Sequence, residues 1–182
     1  MILQDLAIGL LVATLCSWLF GFTTGCPLVV TGLAGSVLPD FDMIIYMLDG
    51  GKLDKWAHRH RDYGGHWPLI TVPAIGLFVW EYFGKEHAIA LGAVVFLHYI
   101  ADSGSTGWGI PWGYPFSSLY FCYRSVGDEP ARFHAWTRTE QDAIAEIYGD
   151  ATWTTKKQTW SRDLVFLGFA STITYIHFSF KC

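Results

Sequence analysis

Uncharged, largely apolar residues run from Leu6 to Phe22 and again from Cys26 to Leu38, a pairing that predicts two closely spaced helices forming an αα-hairpin. A third apolar run, Trp67 to Trp80, meets a polar turn at Glu81, Lys85 and Glu86, and a fourth continues from Ala88 to Ile100 as a second hairpin. The fifth, Leu164 to Phe180, is tinted by Ser171, Thr172, Thr174 and His177 and is just long enough to cross about 30 Å of hydrocarbon. The pattern therefore predicts an all-α, polytopic membrane helix bundle with four to five transmembrane helices in a single membrane domain, 1–182. Residues 1–102 form its four-helix core, 103–163 an interfacial aromatic loop with a short cytoplasmic helix, and 164–182 the final transmembrane helix. Within the middle part, Thr139 before Asp142, with Ala143, Ile144 and Ile147 at helical spacing, predicts a short amphipathic helix over Thr139–Tyr148.

Composition agrees with a bilayer rather than water. Of 182 residues, 52% are hydrophobic and only 15% charged, too apolar for an ordinary soluble domain. A net charge of -4 leaves no basic surplus for a phosphate backbone, which excludes nucleic acid as a partner class. The cysteines, Cys16, Cys26, Cys122 and Cys182, lack CxxC spacing, so a disulfide scaffold is not expected. Asp5 stands where a signal peptide would carry basic residues, and the first run reads as a retained anchor. With five crossings, ten of the twelve Lys and Arg residues fall on one side, leaving Lys85 and Lys181 opposite. The positive-inside rule makes the loaded side cytoplasmic: a multi-pass protein of a bacterial-type inner membrane with its N-terminus inside.

Candidate chemistry sits at the ends of the apolar runs, where carboxylates and imidazoles are costly unless something binds them. Asp40 and Asp42 follow Pro39, which ends the second run, and two acids so close repel unless a cation or proton intervenes. His58, His60 and His66 share nine residues with Arg59 and Arg61, a mixture that reads as metal ligands with a guanidinium clamp for an anionic oxygen, or as a basic loop on lipid headgroups. His98 and Asp102, four apart, project from one face of a helix and can share an ion; the bland alternative is a helix-end His with a capping Asp. All these ends face the same membrane side in the predicted topology. Together Asp40, Asp42, His58, His66, His98 and Asp102 offer oxygen and nitrogen ligands for one to three divalent ions, with Zn²⁺ or Mn²⁺ favoured over Ca²⁺. The stretch after Asp102, rich in Gly, Trp, Tyr and Pro, reads as an interfacial loop that anchors at the lipid boundary or covers the site.

Gly35-Ser36-Val37-Leu38-Pro39-Asp40-Phe41-Asp42, the His-Arg stretch ending in Gly65-His66-Trp67, and His98-Tyr99-Ile100-Ala101-Asp102 resemble the YdjM-like, LexA-regulated membrane-bound metal-dependent hydrolases over roughly Thr31 to Phe116. The resemblance implies metal ligation by Asp40, Asp42, His66, His98 and Asp102, with His60-Arg61 or His58-Arg59 as the His-Arg element. Its HxxxD helix is similar to that of zinc-dependent phospholipase C and implies phosphoester hydrolysis. Members carry a His near the N-terminus, where this chain has Gln4 and Asp5.

The expected function is a metal-dependent hydrolase acting through a metal-activated water on a phosphoester of a membrane lipid or lipid-linked substrate, with Arg59, Arg61 and His60 as catalytic residues, of which Arg59 or Arg61 neutralises phosphoryl charge. The alternative is a non-catalytic membrane subunit with a structural or degenerate metal site, docking a protein partner through 117–163.

Overall fold

The computed structural model describes residues 2–22, 25–104, 108–149 and 157–179. In chain order its elements are α1 (Ile2–Phe20), α2 (Gly25–Val37), α3 (Phe41–Leu48), a 3-10 helix η1 (Ala57–Tyr63), α4 (Pro68–Phe83), α5 (Lys85–Asp102), strands β1 (Tyr120–Arg124) and β2 (Arg132–Trp136), α6 (Arg138–Tyr148) and α7 (Lys157–Phe178). All five expected apolar runs are helical. Among the described residues, two stretches are long and apolar enough to cross a membrane, Leu3–Phe20 and Gly25–Leu48, the second interrupted between the end of α2 and the start of α3; α4 is apolar but shorter, at 16 residues.

The chain divides into two compact units. The first comprises Met1–Pro39, Val72–His98 and Lys157–Cys182. Its α1 and α2 meet through glycine: a Cβ on either Gly9 or Gly32 would lie 2.4 Å from the other's carbonyl oxygen, so only bare backbone permits this approach. Around that contact, Val12, Ala13, Cys16, Leu28, Ala90, Val94 and Phe178 form a buried cluster. A hydroxyl pair, Thr14 with Thr174 (3.0 Å), and His177 with Ser17 (3.1 Å) tie α7 to α1, giving polar groups in an apolar setting their hydrogen bonds. Cys26 is disulfide-bonded and Cys16 is a free thiol.

The second unit comprises Asp40–Thr71 and Tyr99–Lys156. It corrects the all-α expectation: β1 and β2 pair antiparallel, from Tyr120 opposite Trp136 to Arg124 opposite Arg132. The reason is a period of two that the aromatic density hides. Cys122 and Trp136 point inward while Phe121, Tyr123 and Phe133 share the outer face. Helix α6 exists, but its cap is Thr137 rather than Thr139. The Thr137 side chain accepts from the Glu140 amide and the Glu140 carboxylate accepts from the Thr137 amide, a reciprocal box that the residue pair Thr137 and Glu140 satisfies at the correct spacing. Ser105 to Gly107 of the Gly- and Trp-rich stretch, and Trp153, lie outside the described residues.

Candidate metal centre

Pro39 stops α2, and the chain restarts as α3 with Asp40 at its N-cap and Asp42 in its first turn. Helical spacing then turns Asp42 and Tyr46 to the buried face while Phe41, Ile45 and Leu48 stay exposed. Next comes η1, which ends at Gly64 with φ of 99°, a left-handed conformation that a residue with a Cβ resists. That reversal brings His66 back over η1, and the His60 and His66 ring centroids lie 4.9 Å apart at 77°. Asp102, the last residue of α5, completes the group.

The distances within this cluster would let its donors share one cation. The His66 Nε2 lies 3.3 Å from Asp102 Oδ2 and 3.7 Å from Asp40 Oδ1, and His60 Nε2 lies 3.8 Å from Asp42 Oδ1. One donor atom each from Asp40, His60 and His66 all fall within 4.8 Å of one another. Donors held about 2.1 Å from a tetrahedral zinc are about 3.4 Å apart, so modest adjustment suffices.

Proton placement sharpens the case. The Nδ1–H of His60 donates to the Ala57 carbonyl, 2.5 Å away, which leaves Nε2 of the neutral ring with its lone pair. Burial, together with the neighbouring His66 and Arg61, pushes the His60 pKa well below its ordinary value, so the ring is neutral at pH 7. Opposite that lone pair stands a carboxylate oxygen. Both His60 Nε2 and Asp42 Oδ1 are buried and lack a hydrogen-bond partner among the described residues. The His66 Nδ1–H donates to Asp42 Oδ2 at 2.8 Å. Burial pulls the His66 pKa down, but the Asp102 and Asp42 carboxylates outweigh it and lift it to about 9.

The remaining candidates have partners of their own. Arg61 is buried, donating to Asp102 Oδ2 (2.5 Å) and to the Gly109 carbonyl (3.0 Å). His58 and Arg59 instead face α6: His58 Nε2 donates to Asp142 Oδ1 at 3.0 Å, and Arg59 reaches both Asp142 oxygens, at 3.3 and 2.9 Å. Burial holds His58 down at about 4 in spite of that carboxylate. His98 belongs to the other unit, where its Nδ1–H donates to the Ser36 carbonyl at 3.0 Å and Asp5 Oδ1 lies 3.7 Å from the same nitrogen. Sequence reasoning placed neither Asp5 nor Asp142 among the site residues. An acid at the head of an apolar run was the available signal for Asp5, which the structure buries. Asp142 carried none, because its partners are more than eighty residues away.

The described residues thus present two helices long and apolar enough to cross a membrane and an Asp/His cluster that could hold a metal ion. The chain belongs to the YdjM inner membrane protein family, whose model matches residues 1–180. No curated protein and no solved structure matches it.

Proposed function

We propose that this protein is a membrane-bound metal-dependent hydrolase acting on a phosphoester of a lipid or lipid-linked substrate. Asp40, Asp42, His60, His66 and Asp102 would hold the ion. His58 stays outside the ligand set because Asp142 engages its Nε2. The observation that carries the reading is the buried lone pair of His60 Nε2 facing Asp42 Oδ1 with no proton for either. Two acceptors in that position repel, and a cation between them removes the conflict. Mixed nitrogen and oxygen donors favour Zn²⁺ or Mn²⁺.

A divalent cation there supplies Lewis acidity, lowering the pKa of a bound water and polarising a phosphoryl oxygen. The chain's own residues prepare the ground for it. The Ala57 carbonyl fixes the His60 tautomer, Asp42 Oδ2 orients the His66 ring, and Arg61 holds Asp102 in place. The unpartnered Arg61 Nε–H is a donor left over for a substrate oxygen.

The proposed topology is multi-pass, with four to five spans and a cytoplasmic N-terminus. The disulfide at Cys26 supports it, since a bridge at the start of α2 belongs on an oxidising side and the other end of α2 leads to Asp40. The second reading, a non-catalytic subunit with a structural ion, is favoured by Arg59 and Arg61 both being committed to protein carboxylates.

The test is metal analysis of the detergent-purified protein, followed by hydrolysis of bis(p-nitrophenyl) phosphate by the wild type and Asp42→Ala. Bound Zn²⁺ or Mn²⁺ with activity lost in the variant is expected. Absence of divalent metal rejects the hydrolase, and metal without hydrolysis of any phosphoester favours the subunit.

A further inference from the structure

The outer face of the β1–β2 hairpin carries Phe121, Tyr123 and Phe133, with Tyr123 paired directly to Phe133. On this face lies a groove of about 580 Å³, walled by those three residues, by Ile100 of α5 and by Trp112, with almost no polar lining. That volume suits a hydrocarbon chain, within the roughly 300–1,000 Å³ of ordinary ligand sites. Phe133 is 67% exposed and Tyr123 54%, an apolar opening that water does not favour.

The groove adjoins the metal cluster through stacked rings. Trp112 packs edge-on against Tyr99 at 6.2 Å, and Tyr99 packs against His66 at 5.8 Å, so a single ring separates the groove wall from a candidate ligand. Ser103 fixes the boundary. It follows Asp102 directly, its hydroxyl accepts from Trp112 Nε1 at 2.8 Å, and its carbonyl accepts from the Tyr123 amide at 2.7 Å. A chain lying in the groove thus ends next to Asp102.

The occupant follows from continuity with the bilayer. Ile100 of α5 is exposed, and the groove wall to which it contributes is apolar surface in a member of an inner membrane family. We propose that the groove takes one hydrocarbon chain of a phosphate-bearing membrane lipid, holding its headgroup at the Asp/His cluster. This rests on the hydrolase reading above and narrows its substrate to a lipid with a chain adjacent to the phosphoester.

The test uses the full chain in nanodiscs of digalactosyl diacylglycerol, a bilayer lipid without phosphate, with a minor fraction of phosphatidic acid. A photo-crosslinking amino acid replaces exposed Phe133 in one sample and Val165, an exposed residue of α7, in another. Expected is an adduct at position 133 enriched in phosphatidic acid about tenfold over that at 165. The Tyr123→Glu variant, which puts a carboxylate in the groove, loses the enrichment. Equal lipid composition at both positions, or a cross-linked second copy or other protein at 133, overturns the proposal. Zn²⁺ uptake measured on the same samples separates the two readings: uptake without enrichment rejects the groove alone, whereas no uptake rejects the metal site and with it the lipid's role as substrate.

Discussion

The Nε2 of His60 and Oδ1 of Asp42 face each other across 3.8 Å, two buried acceptors with no hydrogen between them. An unsatisfied buried polar atom costs about 1–3 kcal/mol, so the metal-free protein carries an unfavourable pair that a cation converts into a favourable one. Asp42→Asn offers an amide hydrogen to His60. It should raise the melting temperature of the metal-free protein while weakening Zn²⁺ binding by at least about 100-fold. Thermal melts with and without chelator check both halves, and a variant that loses stability without metal contradicts the assignment.

Metal binding should weaken as the pH falls. His66, lifted to about 9 by Asp102 and Asp42, carries a proton in the metal-free protein at neutral pH, and a cation must displace it. Below pH 9 the apparent affinity for Zn²⁺ should therefore drop about tenfold per pH unit, and binding at pH 7 should release a proton. Calorimetry in buffers of different ionisation enthalpy measures that release. A flat profile between pH 7 and 9 would remove His66 from the ligand set.

Arg61→Gln leaves Asp102 without its guanidinium in a buried setting, a loss of about 3–5 kcal/mol when one partner of a buried pair is removed. Arg61→Lys should rescue little, because a point charge cannot reach both Asp102 and the Gly109 carbonyl. Chemical denaturation in detergent compares the two. Full rescue by lysine would show that charge alone suffices.

Gly32→Ala should disrupt α1–α2 packing, since its Cβ would sit 2.4 Å from the Gly9 carbonyl oxygen. Gly35→Ala, whose Cβ would approach Leu91 and Val94 side-chain atoms no nearer than 3.3 Å, serves as the control on the same helix. Melting temperature should fall by several degrees for the first and little for the second. Similar values for both would mean that α1 and α2 do not rely on glycine contact.

Apolar runs announced the helices because each is a local signal: α1, α2, α4, α5 and α7 all coincide with the runs read from sequence. Asp40, Asp42, His66 and Asp102 were legible for a related reason, since acids and imidazoles at the ends of such runs have few explanations. Strands β1 and β2 were not, as aromatic residues occupy both faces and blur the alternation. The division of labour between His58 and His60 was equally hidden. Both lie in one turn of η1, and only the distant Asp142 draws His58 toward α6 while the Ala57 carbonyl turns His60 toward Asp42.

The left-handed turn at Gly64 carries a last consequence. Every ligand letter around it could persist through drift while one added methyl at position 64 pulled the His60 and His66 rings out of register. On the metal-site proposal above, homologues that retain the histidines yet replace this glycine should bind Zn²⁺ weakly. Judging competence from ligand identities alone would overlook them.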